Sequence, residues 1–187
     1  GTTVDATYIY EQVRTITGSG NGDTLSGHDD QDNILHGLDG GDALYGGKGG
    51  DLLYGDAGND VLYGNTGNDT LIGGTGNDAL YGGKGDDLYI FNKGDGVDYI
   101  EETDGVDTLQ FGEGISLKDL KFSRYDSSGR NLYITVGDNG DAISIKNYFN
   151  DGSYSRPTDT FKVEKLLFSD GTTVDATYIY EQVRTIT

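Results

Sequence analysis

The sequence has no cysteine, methionine or tryptophan, and Pro157 is its single proline among 187 residues. Without cysteine there are no disulfides and no thiolate metal sites. Basic residues are scarce, 13 against 32 acidic ones, for a net charge of −19. That balance excludes a nucleic-acid partner, which needs a basic face, and argues against binding to anionic membrane surfaces. Apolar runs are far too short to cross a bilayer, so no membrane insertion is expected, and no charged–apolar–small leader opens the chain. Gly1 stands where an initiator methionine would, so an excised or recombinant segment is expected. Glycine is abundant, at 32 residues. High charge with much glycine would by itself permit disorder, but the spacing of the residues argues for a fold.

Asp recurs every nine residues at Asp42, Asp51, Asp60, Asp69, Asp78 and Asp87. Two positions after each stands a large side chain: Leu44, Leu53, Leu62, Leu71, Leu80 and Tyr89. Two positions before each stands glycine, from Gly40 to Gly85, and a further glycine (Gly46, Gly55, Gly64, Gly73, Gly82) opens each nonapeptide. Upstream, Asn33 and Leu35 keep the register, whereas Asp23 and Leu25 fit only with one extra residue near Asp29–Asp32.

This is the pattern G-G-x-G-x-D-x-U-x. Over about residues 18–90 the chain resembles the RTX (repeats-in-toxin, haemolysin-type) calcium-binding proteins. The resemblance implies an all-β fold, a parallel β-roll with Ca²⁺ ions bound in its turns. It also implies an extracellular location reached by type I secretion, in which the chain leaves the cell unfolded. An extracellular chain without disulfides needs another staple, and a metal supplies one.

Elementary chemistry agrees. A triplet such as Ala43-Leu44-Tyr45 makes a short strand with its middle side chain inward, and the other six residues make a tight glycine-dependent turn. With two nonapeptides per turn of the roll, residues 18 apart stack. Asp42–Asp60–Asp78 then line one edge and Asp51–Asp69–Asp87 the other. Carboxylates stacked about 4.7 Å apart repel unless a hard divalent cation lies between them. Ca²⁺, with six to eight oxygen ligands, suits carboxylates plus turn carbonyls better than Mg²⁺ does. Residues 18–87 hold 13 Asp and no Glu against two basic residues, Lys48 and Lys84, and so carry −11 of the total charge. The outer positions Asp23, Asp32 and Asn33 read either as ligands or as ordinary turn residues. Past Tyr89, Asp98 and Asp107 are again nine apart, each two before an apolar residue, and stand open between further ligands and β-turn aspartates.

From about residue 115 the composition changes. Strands are expected at Leu120–Tyr125, Leu132–Val136, Ala142–Tyr148 and Phe161–Phe168, with hairpin turns at Gly129 and Gly140 and a helical turn at Leu117–Leu120. This stretch resembles the β-rich module that follows the repeats in many RTX proteins, and it is expected to cap an open sheet edge. Residues 1–17 are identical to residues 171–187, as in a piece cut from a tandem array; an engineered extension or permutation is the alternative. Asp5 and Asp175 are expected to cap helices at Ala6–Val13 and Ala176–Val183. The expected organisation is 1–17 the tail of a preceding repeat, 18–112 the roll, 113–170 the capping module and 171–187 the link onward.

Tyr45, Tyr63 and Tyr81 are expected to form an outward ladder on one face, with His36, Tyr54 and Ile72 on the other. No nucleophile elbow, zinc motif or phosphate loop is present, and the carboxylates are periodic rather than an isolated catalytic pair. The sequence thus points to a non-enzymatic, calcium-dependent structural module of a secreted surface protein, an adhesin or filament, whose partners are neighbouring copies joined head to tail. Two other readings are an accessory RTX module of a secreted enzyme or cytolysin, and a carbohydrate-binding module that presents its tyrosines to host or matrix glycans.

Overall fold

In the computed structural model, residues 14–29, 31–125, 130–149 and 163–184 are described. The expected helix at Ala6–Val13 and the turn at Gly129 lie outside them. The described residues form two sheets, of nine and eight strands. Alternate nonapeptides go to alternate sheets, so the chain winds as a parallel roll. Strands Asn33–His36, Leu52–Gly58, Thr70–Thr75, Leu88–Phe91 and Asp107–Phe111 lie side by side in one sheet. Strands Thr24–Ser26, Ala43–Lys48, Val61–Thr66, Ala79–Lys84 and Val97–Glu101 lie side by side in the other.

Side chains alternate in and out of each strand, so the inward residues of successive turns form columns. Leu35, Leu53, Leu71, Tyr89 and Leu109 come from one sheet; Leu44, Leu62, Leu80 and Ile100 come from the other, and all are buried. Outside, the rings of Tyr45, Tyr63 and Tyr81 stack with centroids 4.9 and 4.7 Å apart, and His36 stacks on Tyr54 at 4.4 Å.

The strands are longer than the expected triplets. Ala43–Lys48 and Val61–Thr66 have six residues each, because turn residues keep the parallel pairing: Gly47 with Asn65, and Lys48 with Thr66. Glycine is required where the turns stack. Gly67 has φ +131°, and a side chain there would collide with the carbonyl of Gly49 in the turn before it. The expected one-residue offset near Asp29–Asp32 is present, since Leu25 pairs with Leu44, 19 residues on.

The later strands continue the same sheets. Asp141–Ile145 pairs in parallel with Val97–Glu101, and Val163–Phe168 pairs in parallel with Asp107–Phe111. Three antiparallel pairings then close the two sheets: Leu120–Tyr125 and Asp141–Ile145 flank Asn131–Val136, and Thr173–Asp175 runs beside Val163–Phe168. The third strand ends at Ile145 rather than Tyr148, as Asn147 takes a positive φ and turns the buried Tyr148 and Phe149 inward. The helical turn is a short 3₁₀ segment, Leu117–Asp119, closed by a reciprocal Ser116–Asp119 capping box. Asp175 caps the helix Ala176–Arg184, accepting the Tyr178 N–H at 3.0 Å, and Ile179, Tyr180 and Val183 bury its inner face. At the other end, Arg14–Thr17 is itself a strand paired in parallel with Asn33–His36. Among the described residues no helix is long and apolar enough to cross a membrane.

Leu62 is fully buried between Leu44 and Leu80. Leu62→Ala leaves a cavity in that column and is expected to cost about 2–5 kcal/mol, read as a lower midpoint in urea unfolding followed by circular dichroism. A change below about 1 kcal/mol would mean that the column is not close-packed.

Candidate metal centre

Each periodic aspartate sits at the start of a strand with its carboxyl turned inward. One oxygen is used in the winding: the N–H of Asp42 donates to Oδ1 of Asp60 at 2.7 Å, and that of Asp60 to Asp78 at 2.8 Å. On the other edge Asp51 donates to Asp69 at 2.7 Å and Asp69 to Asp87 at 2.8 Å. The other oxygen, Oδ2 of Asp42, Asp51, Asp60, Asp69, Asp78 and Asp87, is buried without a hydrogen-bond partner. A buried, unpaired carboxylate oxygen is costly, and here there are six.

The glycine that opens each nonapeptide shows where these oxygens point. A side-chain carbon on Gly37, Gly46, Gly55 or Gly64 would meet, within 3.0 Å, both the Oδ2 of the following aspartate and the carbonyl oxygen of the glycine stacked above. Each such space is lined by hard oxygens and kept open by the missing Cβ. The donor set fits Ca²⁺, which takes carboxylate and carbonyl oxygens together.

Asp98 and Asp107 prolong the two columns. They are buried, and their Oδ1 atoms accept the N–H groups of Asp78 and Asp87 at 3.0 and 2.9 Å. The first-row positions differ. Asp23 is half-buried, and its Oδ2, which with the Gly37 carbonyl lines the space beside Gly18, accepts both the N–H and the hydroxyl of Ser19. Asn33 is buried in the column, but its amide nitrogen donates to Asp51 Oδ1 and to the carbonyls of His28 and Gln31. The space beside Gly27 therefore faces a donor nitrogen, and Asn33 acts as a neutral end-cap. Asp32 is exposed and lies apart from the column, accepting the Gly50 N–H at 2.8 Å.

Three acidic residues outside the nine-residue reading also join the columns. Glu164 accepts the Asp107 N–H at 2.8 Å, and Asp141 accepts the N–H groups of Gly94 and Gly96 beside buried Asp95. Glu102 is buried beside Asp87 and Asp107. For Glu102 the signal in the sequence is a step of 20 residues rather than 18, since Asp98 follows Asp78 and Asp107 follows Asp87 by that interval, whereas Glu164 and Asp141 reach partners 57 and 47 residues away and leave no periodic signal.

Two family patterns match the chain. The RTX calcium-binding nonapeptide repeat matches residues 29–62, 36–71 and 63–98. The haemolysin-type calcium binding protein related domain matches residues 131–178. The chain belongs to the RTX calcium-binding proteins. Its nonapeptides are calcium-binding repeats of the structural kind typical of proteins exported by type I secretion. No curated protein matches the chain. Among solved structures, the extracellular lipase LipA from Serratia marcescens is similar over 74% of this RTX chain, with 17% identity and a TM-score of 0.32. The chain covers 37% of that lipase's length.

Burial pushes the carboxyls of Asp51, Asp60, Asp69, Asp78, Asp87, Asp98 and Asp107 up, and neighbouring carboxylates add to the rise. Asp60 and Asp87 reach about 6, Asp69, Asp78 and Asp107 about 7, and Asp98 about 8. In the metal-free chain the folded state therefore binds more protons than the unfolded one, whose aspartates titrate near 3.8. The stability this contributes is fully present below about pH 4 and is lost as pH rises through about 6–8. In EGTA, β structure followed by circular dichroism is expected to grow as pH is lowered from 8 towards 4.5. Acid unfolding of the metal-free chain would contradict the raised values.

Proposed function

We propose that this chain is a non-enzymatic structural module of a secreted bacterial surface protein, an adhesin or filament, that folds on binding Ca²⁺ outside the cell. Asp42, Asp51, Asp60, Asp69, Asp78 and Asp87 would hold the ions, the first four together with the stacked turn-glycine carbonyls. Asp98 and Asp107 extend the set. The supporting observation is the six buried carboxylate oxygens without partners, aimed into spaces that only glycine leaves open.

Magnitudes favour a calcium-gated fold. Two like charges at the strand spacing of about 4.7 Å repel by about 3.5 kcal/mol at an effective dielectric constant of about 20. A few such pairs equal the whole stability of a domain, about 5–15 kcal/mol. A site filled at about 1,000 times its dissociation constant returns about 4 kcal/mol. Several sites at millimolar external Ca²⁺ thus reverse the balance, whereas submicromolar cytosolic Ca²⁺ leaves it unfavourable. The chain would stay unfolded for export and wind outside.

In this reading residues 18–112 are the roll and 113–170 close its far end. Residues 171–187 repeat 1–17 and link to the next module. Arg14–Thr17 lies beside the repeat strand Asn33–His36, and the same four residues recur as Arg184–Thr187, starting at the last residue of the helix Ala176–Arg184. The tail of one copy would thereby supply the first strand of its neighbour. For the glycan reading, Tyr45, Tyr63 and Tyr81 turn their ring faces to one another, at interplanar angles of 7° and 14°. That supports a sheet-stiffening ladder over a sugar platform. The sequence preceding the module separates a surface array from the accessory part of an enzyme or cytolysin.

The test is far-UV circular dichroism of the chain stripped with EGTA and titrated with CaCl₂. A cooperative change from coil to β at micromolar to millimolar Ca²⁺ is expected. Asp69→Asn keeps the shape and the acceptor for Asp51 but removes a charge. It is expected to raise the Ca²⁺ midpoint about tenfold without lowering metal-free structure. A folded protein shown by elemental analysis to be free of metal would overturn the reading.

A further inference from the structure

We propose that Asp87, Glu102 and Asp107 form a distinct cation site at the end of one column, in which a glutamate side chain replaces the turn-glycine carbonyl of the sites before it. The inference takes its cation class from the calcium-roll reading and shares Asp87 and Asp107 with it, but turns on Glu102, which that reading does not use.

The parallel register carries the argument. Tyr63 pairs with Tyr81, and Tyr81 with Glu101, so one position further on Gly64, Gly82 and Glu102 stack. The carbonyl of Gly64 lines the space beside Gly46, and the carbonyl of Gly82 lines the space beside Gly64. Beside Gly82 the corresponding place is held by Glu102 Oε1, together with Asp87 Oδ2 and the Tyr89 hydroxyl. Glu102 is 2% exposed. Its Oε2 accepts the Thr103 N–H at 3.1 Å, while Oε1 is buried without a partner, as is Asp87 Oδ2. The Tyr89 hydroxyl is fixed by the Gly82 N–H at 2.8 Å. Ligand oxygens of Asp87, Glu102 and Asp107 lie within 4.8 Å of one another. No ion pair among the described residues involves any of the three.

Three carboxylates around one space give it more negative charge than an aspartate with a glycine carbonyl. Hard cations rich in charge suit such a set, Ca²⁺ first and trivalent lanthanides as probes. This site would hold its ion more tightly than the repeat sites.

Two measurements test it. Anomalous diffraction from wild-type crystals soaked in Tb³⁺ is expected to place an ion beside Gly82, bonded to Glu102 and Asp87. Calorimetric Ca²⁺ titration of Glu102→Gln is expected to show one ion fewer, or the tightest site weakened at least about tenfold, with the repeat sites unchanged. Ions in the repeat spaces but none at Glu102, or an unchanged titration of the variant, would overturn this inference alone. No ion in any space would overturn the calcium-roll reading as well. Should Glu102→Gln not fold in Ca²⁺, the wild-type diffraction decides.

Discussion

Everything in this roll follows from placing carboxylates in columns inside a protein with one oxygen of each left unpaired. A single buried, unpaired carboxylate is a defect that a fold can absorb. Six in two files form a requirement on the surroundings. Glycine in the turns, short aspartate rather than glutamate, a repeat that stacks every 18 residues and the near-absence of bases all meet that one requirement. The aspartates also wind the roll, because the first oxygen of each carboxyl accepts the backbone N–H of the turn before it. Winding and charge are therefore the same device.

The two columns end where the interior changes character. One step beyond the paired Ile72 and Ile90, Gly73 is followed in its file by Phe91, then by Phe111 and Phe168. Their rings contact at centroid distances of 6.3 and 5.3 Å. The aspartate files end likewise, in Ile143 opposite Asp98 and Val163 opposite Asp107. Oxygen-lined space gives way to aromatic and aliphatic packing while both sheets continue, one of them through a register shift between Asp107 and Thr108. Burial of apolar surface at about 25 cal/mol per Å² needs no cation, so the far end of the module has its own source of stability.

The repeat was legible because a nine-residue period leaves little freedom. Once Asp42 to Asp87 and their leucines are aligned, strand order, inward residues and stacking neighbours follow by counting. The strands of residues 115–170 were legible locally, and Leu120–Tyr125 has the expected bounds. Their partners were not, because pairing Val163–Phe168 with Asp107–Phe111 depends on closure over a long span that no local pattern encodes. Counting also failed where the step lengthens to 20, which hid Glu102. Asn33 and Asp32 looked alike as ligand candidates in sequence. The structure separates them by hydrogen bonds: one amide is turned donor-first into its column, and the other carboxylate lies outside it.

The glycines that line the columns leave the module with an uneven mutational landscape. At Gly37, Gly46, Gly55 and Gly64 even one added methyl group would occupy the space between a carboxylate and a carbonyl, so no gradual path of substitution leads away from glycine there. The outward positions carry no such restriction: His36, Tyr54 and Ile72 already occupy equivalent places on successive turns. Copies of such a module can thus diverge freely across both faces while their edges stay locked, and new surface properties can arise without any change to the way the chain winds.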